Sequence, residues 1–120
     1  MSYKIELTDK FERDAKKLLK KHRSLVKDLI DLRELLRDDP TQGAPLGKDC
    51  YKIRLAISSK GKGKRGGGRV ITCVKIVQET IYLLTIYDKA DQDAVSDAQL
   101  DAMLTEAGLS ASGDESTQLH

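Results

Sequence analysis

A chain of 120 residues that is one-third charged, 4% aromatic and without tryptophan is sized for one domain with a modest core. No apolar run approaches the roughly 18 residues of a membrane span. The net charge of +2 conceals a split: residues 1–69 hold nineteen Lys/Arg against ten Asp/Glu, residues 70–120 two against nine. That suits a basic face for a polyanion and an acidic C-terminal edge. Two cysteines and two histidines fall short of a zinc ligand set, so no metal and no cofactor is expected. Met1-Ser2-Tyr3-Lys4 lacks the apolar core of a signal peptide. A cytoplasmic protein with reduced thiols is therefore expected.

Tyr3, Ile5 and Leu7 alternate with Lys4 and Glu6, which predicts a short amphipathic strand. Thr8 or Asp9 then starts a helix, with Glu12 three residues after Asp9. Phe11, Ala15, Leu18, Leu19 and His22 form one helical stripe. Ser24 caps a second helix, striped by Leu25, Leu29, Leu32 and Leu36 and widened by Val26 and Ile30. The short break at Lys21–Ser24 folds the two helices into an antiparallel hairpin. Pro40 bars further helix, and Thr41 to Leu46 reads as a loop. Strands are expected at Cys50–Ile57, Arg69–Val77 and Thr80–Tyr87, with Gln78-Glu79 as a tight turn. Ser96 and Gln99 match a capping box with Val95 and Leu100 at the staple positions, and Gly108 is the helix stop. Leu109 to His120 has no periodicity, so residues 1–108 are expected to form the single domain and 109–120 a flexible tail.

The order β-α-α-β-β-β-α predicts an α+β fold: a small, antiparallel-dominated twisted sheet covered on one face by the N-terminal helical hairpin. The other face is then left partly open. Tyr51, Ile53, Leu55 and Ile57 share the inner side, while Lys52 and Arg54 point outward about 7 Å apart. If Val70, Thr72, Val74 and Ile76 face the helices, then Arg69, Ile71, Cys73 and Lys75 face away. A register placing Arg69 beside Lys52 and Arg54 is thereby allowed. In the last strand the same parity turns Tyr82, Leu84 and Ile86 inward and Thr85 and Tyr87 outward.

From Lys48 to Arg69, eight cations (Lys48, Lys52, Arg54, Lys60, Lys62, Lys64, Arg65 and Arg69) face Asp49 alone. Either this is a solvated hairpin with a loose tip, or it is a sheet face for phosphate, because crowded like charges repel unless an anion is present. Gly61-Lys62-Gly63-Lys64-Arg65-Gly66 matches a dinucleotide fingerprint in spacing, but a strand follows where a helix N-terminus is required. His22 and His120 read as structural or solvent-facing, and Cys50 and Cys73 as buried small residues rather than nucleophiles. Lys16-Lys17 and Lys20-Lys21 are solvated helix faces or contacts to a nucleic-acid backbone. Asp88, Asp91, Asp93, Asp97 and Asp101 fit a helix N-terminal charge bias better than a metal site.

Asp49-Cys50-Tyr51-Lys52-Ile53-Arg54-Leu55, followed by Gly68-Arg69-Val70 opening a strand, resembles the RelE/ParE superfamily of bacterial toxins, in particular the RelE and HigB-type ribosome-dependent mRNA endonucleases. The Gly/Lys loop running into Gly-Gly-Arg-Val-Ile, then Leu-Thr-Ile-Tyr-Asp-Lys and Val-Ser-Asp-Ala-Gln-Leu, resembles the HigB-type branch. In element order the resemblance covers roughly residues 3–107. It implies a RelE-like, microbial-RNase-like fold, a cognate antitoxin as partner, and metal-independent endoribonuclease action on mRNA in the ribosomal A site. By position, Lys52, Arg54 and Arg69 correspond to basic active-site residues of RelE-like enzymes. Where those enzymes place an arginine after the last strand this chain has Ala90, with Lys89 beside it. Where they place a tyrosine near the C-terminal helix it has Ser96. Lys89 and Tyr87 are therefore the proposed substitutes. Lys48, Lys60, Lys62, Lys64, Arg65 and Lys75 are the expected RNA-binding residues.

Cutting RNA through its 2′-hydroxyl requires that proton removed, charge on the phosphate stabilised and the leaving 5′-oxygen protonated. With histidine unavailable, cations must do most of this. Arg54 and Arg69 grip phosphate oxygens in forked geometry, Lys52 is the candidate general base, and Lys89 serves as acid, or Tyr87 as acid or stacking platform. Two rivals remain: a ParE-like toxin that inhibits DNA gyrase, and a non-catalytic nucleic-acid-binding module, which the departures at Ala90 and Ser96 keep open.

Overall fold

The computed structural model describes residues 3–58, 67–92 and 94–109. Lys60, Lys62, Lys64, Arg65, Asp93 and the expected tail beyond Leu109 lie outside the described residues. The element order is β1 (Lys4–Leu7), α1 (Asp9–Lys21), α2 (Leu25–Asp38), β2 (Ala44–Gly47), β3 (Cys50–Leu55), β4 (Gly68–Lys75), β5 (Thr80–Asp88) and α3 (Asp97–Glu106). The five strands form one sheet in the order β1-β5-β4-β3-β2. Only the β1–β5 pairing is parallel.

The helices begin where their side chains can cap them. Thr8 is the α1 N-cap and accepts from the Phe11 amide, while its hydroxyl donates to Leu83 O on β5 at 2.9 Å. One threonine thus starts the helix and staples it to the sheet. Ser24 sits at the α2 N-cap, but its hydroxyl donates to Asp28 Oδ2 at 2.7 Å and makes no capping bond. At α3 the Ser96–Gln99 capping box is complete, and Val95 packs with Leu100 in the same apolar cluster. A reciprocal cap of this kind satisfies two otherwise orphaned donors.

Two apolar layers sandwich the sheet. Phe11, Leu18, Leu25, Leu32 and Leu36 of the helical hairpin pack on Ile53, Leu55, Ile57, Val70, Val74, Ile81, Leu83 and Ile86. On the opposite face Leu100, Met103 and Leu104 of α3, with Leu109, cover Cys50, Ile71, Cys73, Leu84 and Tyr87. The second face is therefore occupied by α3 over part of its area, and Leu109, where the tail was expected to begin, is buried there.

Ile76, expected under the helices, lies beyond the end of β4 and is 65% exposed, and two further expectations about the strands are corrected. The stretch read as a loop contains β2, which pairs antiparallel with β3 through Ala44↔Lys52, Pro45↔Tyr51 and Gly47↔Cys50. Pro45 is tolerated because β2 is an edge strand, where a missing donor breaks no ladder bond. Lys48 and Asp49, both in the left-handed region (φ 57° and 66°), make the two-residue turn into β3. The second correction concerns parity in β5. The register slips between Ile71↔Thr85 and Thr72↔Leu83, leaving Leu84 as a bulge residue. An inserted residue reverses the alternation on either side of it. Tyr82 and Leu84 accordingly pack on the α3 face, and Ile86 joins Ile81 and Leu83 under the hairpin. Tyr87 keeps the outward side that was expected.

Candidate functional site

Strand register decides which cations meet. Arg54 of β3 lies directly opposite Arg69 of β4, and Arg69 lies opposite Tyr87 of β5. The three form one row across three strands, about 10 Å from end to end at roughly 4.8 Å per strand. The next row carries Lys52, Ile71 and Thr85. Lys89 follows the end of β5, and its amide donates to Gly67 O at 3.0 Å, which sets it beside the start of β4. Arg54, Arg69, Tyr87 and Lys89 thus lie at one end of the sheet, with Lys52 one row further along β3.

Depth grades this row. Arg54 is exposed and Lys52 half-buried, whereas Arg69 and Tyr87 are only 7% and 8% exposed. The Arg69 guanidinium donates from Nη1 to Gly68 O at 3.0 Å, and Tyr87 packs in the α3 layer. Among the described residues no carboxylate pairs with Lys52 or Arg54. Like charges held directly opposite each other in a sheet disfavour the pairing, and the exposed Arg54 is the member of the pair that a solvent anion can reach.

Glycine makes the approach possible. Gly67 has φ +54°, and a Cβ there would lie 2.7 Å from Leu55 O. Gly43 has φ +105°, and its Cβ would stand 2.6 Å from Lys52 O. Both are left-handed positions pressed against the strand that carries Lys52 and Arg54, where any side chain is strained.

The remaining candidates are placed elsewhere or used otherwise. Lys48 ion-pairs with Asp101 of α3, and this hydrogen bond raises its pKa above the ordinary lysine value. Lys75 reaches Asp49 at 3.4 Å. Both lie at the far end of the sheet; Cys50 alone is already about 13 Å from Arg54 along β3 at 3.3 Å per residue. The departures acquire structural roles too. The Ala90 amide donates to Asp88 Oδ1 at 2.9 Å, and the Ser96 hydroxyl accepts from the Gln99 amide at 3.1 Å. Cys50 and Cys73 are opposed across β3 and β4 and fully buried. A hydrogen bond with Cys73, and then burial, push the Cys50 thiol far up, which keeps it protonated and unsuited to nucleophilic attack. Among the described residues no three His, Cys, Asp or Glu side chains come together in a group that could hold a metal ion.

Two buried acids escaped the residue-by-residue reading. Asp28 is 5% exposed and accepts from Ser24 Oγ, Ser58 Oγ (2.7 Å each) and the Ser58 amide (3.0 Å). Burial pushes its carboxyl up, but these donors outweigh burial and hold it below the usual aspartate value. Asp88, taken for part of an acidic strip, is buried and faces His22 Nε2 at 3.3 Å. A signal for Asp28 was present: it is the one acid on the Leu25–Leu32–Leu36 stripe.

A sheet backed by a helical hairpin, with arginines set opposite each other at one end of it, is the framework of a small α+β protein able to meet an anion. The chain belongs to the RelE toxin family: the family model described as the RelE toxin of the RelE/RelB toxin–antitoxin system matches residues 3–119. The fold is also that of solved relatives. A double-arginine mutant of the Escherichia coli toxin RelE in the free state matches with TM-score 0.56 at 17% identity, covering 90% of this chain and 96% of that one. A chain of a RelBE toxin–antitoxin complex from Mycobacterium tuberculosis matches with TM-score 0.56 at 21% identity, covering 76% of this chain and 95% of that one. Among the described residues no helix is long and apolar enough to cross a membrane.

Proposed function

We propose that this RelE-family chain is the toxin of a type II toxin–antitoxin system and acts as a metal-independent endoribonuclease, cutting mRNA on the ribosome in the cytoplasm. The observation that carries the reading is the register: Arg54 opposite Arg69, with Tyr87 next in the row and Lys52 and Lys89 flanking it. In this reading Lys52 takes the proton from the 2′-hydroxyl as its oxygen attacks phosphorus. Arg54, the exposed fork, meets the phosphate first, and Arg69 beneath it adds a second fixed positive charge as the oxyanion builds. The bond to the 5′-oxygen breaks and Lys89 returns a proton to it; Tyr87 is the alternative acid. The products are a 2′,3′-cyclic phosphate and a free 5′-hydroxyl. The basic loop, with Lys60, Lys62, Lys64 and Arg65, supplies backbone contacts in the same proposal. A cognate antitoxin is the expected partner, as related chains are found in toxin–antitoxin complexes.

The test is to express the chain alone in bacteria and map RNA 5′ ends on translated and untranslated copies of one message. New ends on the translated copy, lost with Arg54→Ala, are expected together with growth arrest. Arrest without new ends would replace the nuclease reading by gyrase inhibition. RNA binding that weakens steeply with salt and yields no product would replace it by a non-catalytic module.

A further inference from the structure

The corner between the two helices touches both strand ends that deliver the cationic row. His22 is the α1 C-cap and Ser24 the α2 N-cap, with Arg23 alone between them. From His22, Nε2 reaches Asp88 Oδ2 at 3.3 Å. Asp88 stands between Tyr87 and Lys89, and its other oxygen accepts from the Ala90 amide at 2.9 Å, closing the turn that carries Lys89. From Ser24, the hydroxyl bonds Asp28, and Asp28 in turn holds both the amide and the hydroxyl of Ser58. Ser58 lies four residues after Arg54, at the point where the chain leaves β3 for the basic loop. The acids at the centre of the links are screened from water, although Ser58 itself is exposed: the His22 and Asp88 side chains are 14% and 9% exposed, and Asp28 is 5% exposed.

We infer that the α1–α2 corner is the positioning device of the site, with His22, acting through Asp88, setting the Tyr87–Lys89 arm and Asp28, acting through Ser58, setting the Arg54 arm. This rests on the nuclease reading above for its consequence, but not for its structural content. None of the four residues touches the substrate in that mechanism; they are positioning residues. Buried hydrogen-bonded carboxylates hold geometry tightly because a displaced partner leaves a buried charge unanswered. Displacing a reacting group by about 1 Å can cost on the order of a hundredfold in rate. The two links run through separate atoms to separate strands, so each arm should loosen without the other.

The experiment combines single-turnover cleavage of ribosome-bound mRNA with native-state amide hydrogen exchange, on the full chain and on His22→Leu, His22→Gln, Asp28→Asn and Ser58→Ala. His22→Leu should speed exchange at the Lys89 amide, which bonds Gly67 O, while leaving the Ser58 amide unchanged. Asp28→Asn and the milder Ser58→Ala should do the reverse. In cleavage, His22→Leu and Asp28→Asn should each lower the maximal rate by about tenfold or more with KM within about twofold, and His22→Gln, which keeps a donor, should recover most of the loss. Folded variants with unchanged exchange and rate would overturn the inference, as would a uniform rise in exchange across the sheet, which marks general loss of stability. If the unsubstituted chain cut no RNA, the exchange pattern would still decide: local loosening of one arm upholds the corner's role while the nuclease reading falls.

Discussion

Two ends of one sheet carry positive charge, and they differ in what answers it. At the end where β2 turns into β3, Lys48 pairs with Asp101 and Lys75 with Asp49. At the other end Arg54 stands opposite Arg69, and among the described residues no carboxylate pairs with Arg54 or Lys52. The difference comes from neighbours. The Lys48 end receives Asp101 of α3 and the Asp49 turn. Of the acids near the Arg54 end, Asp28 bonds Ser24 and Ser58, and Asp88 bonds His22 and the Ala90 amide. Charge count alone would rank the two ends together; strand register and carboxylate placement separate them.

The largest effect that would sharpen this contrast is on activity. Arg54→Ala should lower kcat/KM for ribosome-bound RNA by about a hundredfold or more, as for removal of one fixed donor to a developing oxyanion. Thermal stability should hold or rise slightly, since one member of a like-charged pair is gone. Lys75→Ala should stay within a few-fold in the same assay.

A second effect falls on the fold beneath the site. Gly67→Ala places a methyl group where Leu55 O stands 2.7 Å away, at φ +54°. A loss of about 1–3 kcal/mol is expected from the backbone conformation and the clash, or several degrees in Tm for a domain of this size. Gly47→Ala is the control: its φ is +86° but nothing lies within 4 Å of the added carbon, so its cost should be smaller.

Of similar size is Asp28→Asn, which puts an NH2 donor where a carboxylate oxygen accepted from Ser24 and Ser58 and should cost about 1–3 kcal/mol near neutral pH by chemical denaturation. Its pH dependence has a fixed sign. The folded state holds the Asp28 carboxyl below its ordinary value of 3.8, so the folded protein takes up this proton less readily than the unfolded chain. The stabilisation is complete above that value and fades as pH falls through the lower folded one. The gap between parent and variant should therefore close on acidification below 3.8; a gap that widens there would refute the hydrogen-bond account. Smallest is Lys48→Ala. The Asp101 hydrogen bond raises the Lys48 pKa, and any stability from it is present at neutral pH and lost only as pH climbs through that raised value. Because the pair is exposed, urea titrations should show little change, and less still at high salt.

Much of this was legible in the chain. The alternation of Lys52 and Arg54 against Ile53 and Leu55 placed both cations on one side, and the same parity placed Arg69 and Tyr87 there. The capping box at Ser96 and Gln99 located α3, because capping chemistry is local. Three features were not legible. Pro45 argues against a strand unless the strand is known to be an edge, which only the assembled sheet reveals. The bulge at Leu84 has no residue signature: Leu, Thr and Ile fit a regular strand equally well, and the slip is settled by packing against α1 on one face and α3 on the other. The pairing of Lys48 with Asp101 and of Asp28 with Ser58 joins residues 53 and 30 positions apart, a distance over which spacing carries no information.

The most direct measurement compares the two ends in one assay. Purified chain, Arg54→Ala and a Lys48→Ala/Lys75→Ala double variant are mixed with ribosomes stalled on a defined message, and cleavage is followed in a single turnover. A profound loss for Arg54→Ala, with the double variant near the parent rate, is the expected result. Equal loss in both, or an active Arg54→Ala, would contradict the assignment of the site to the arginine row.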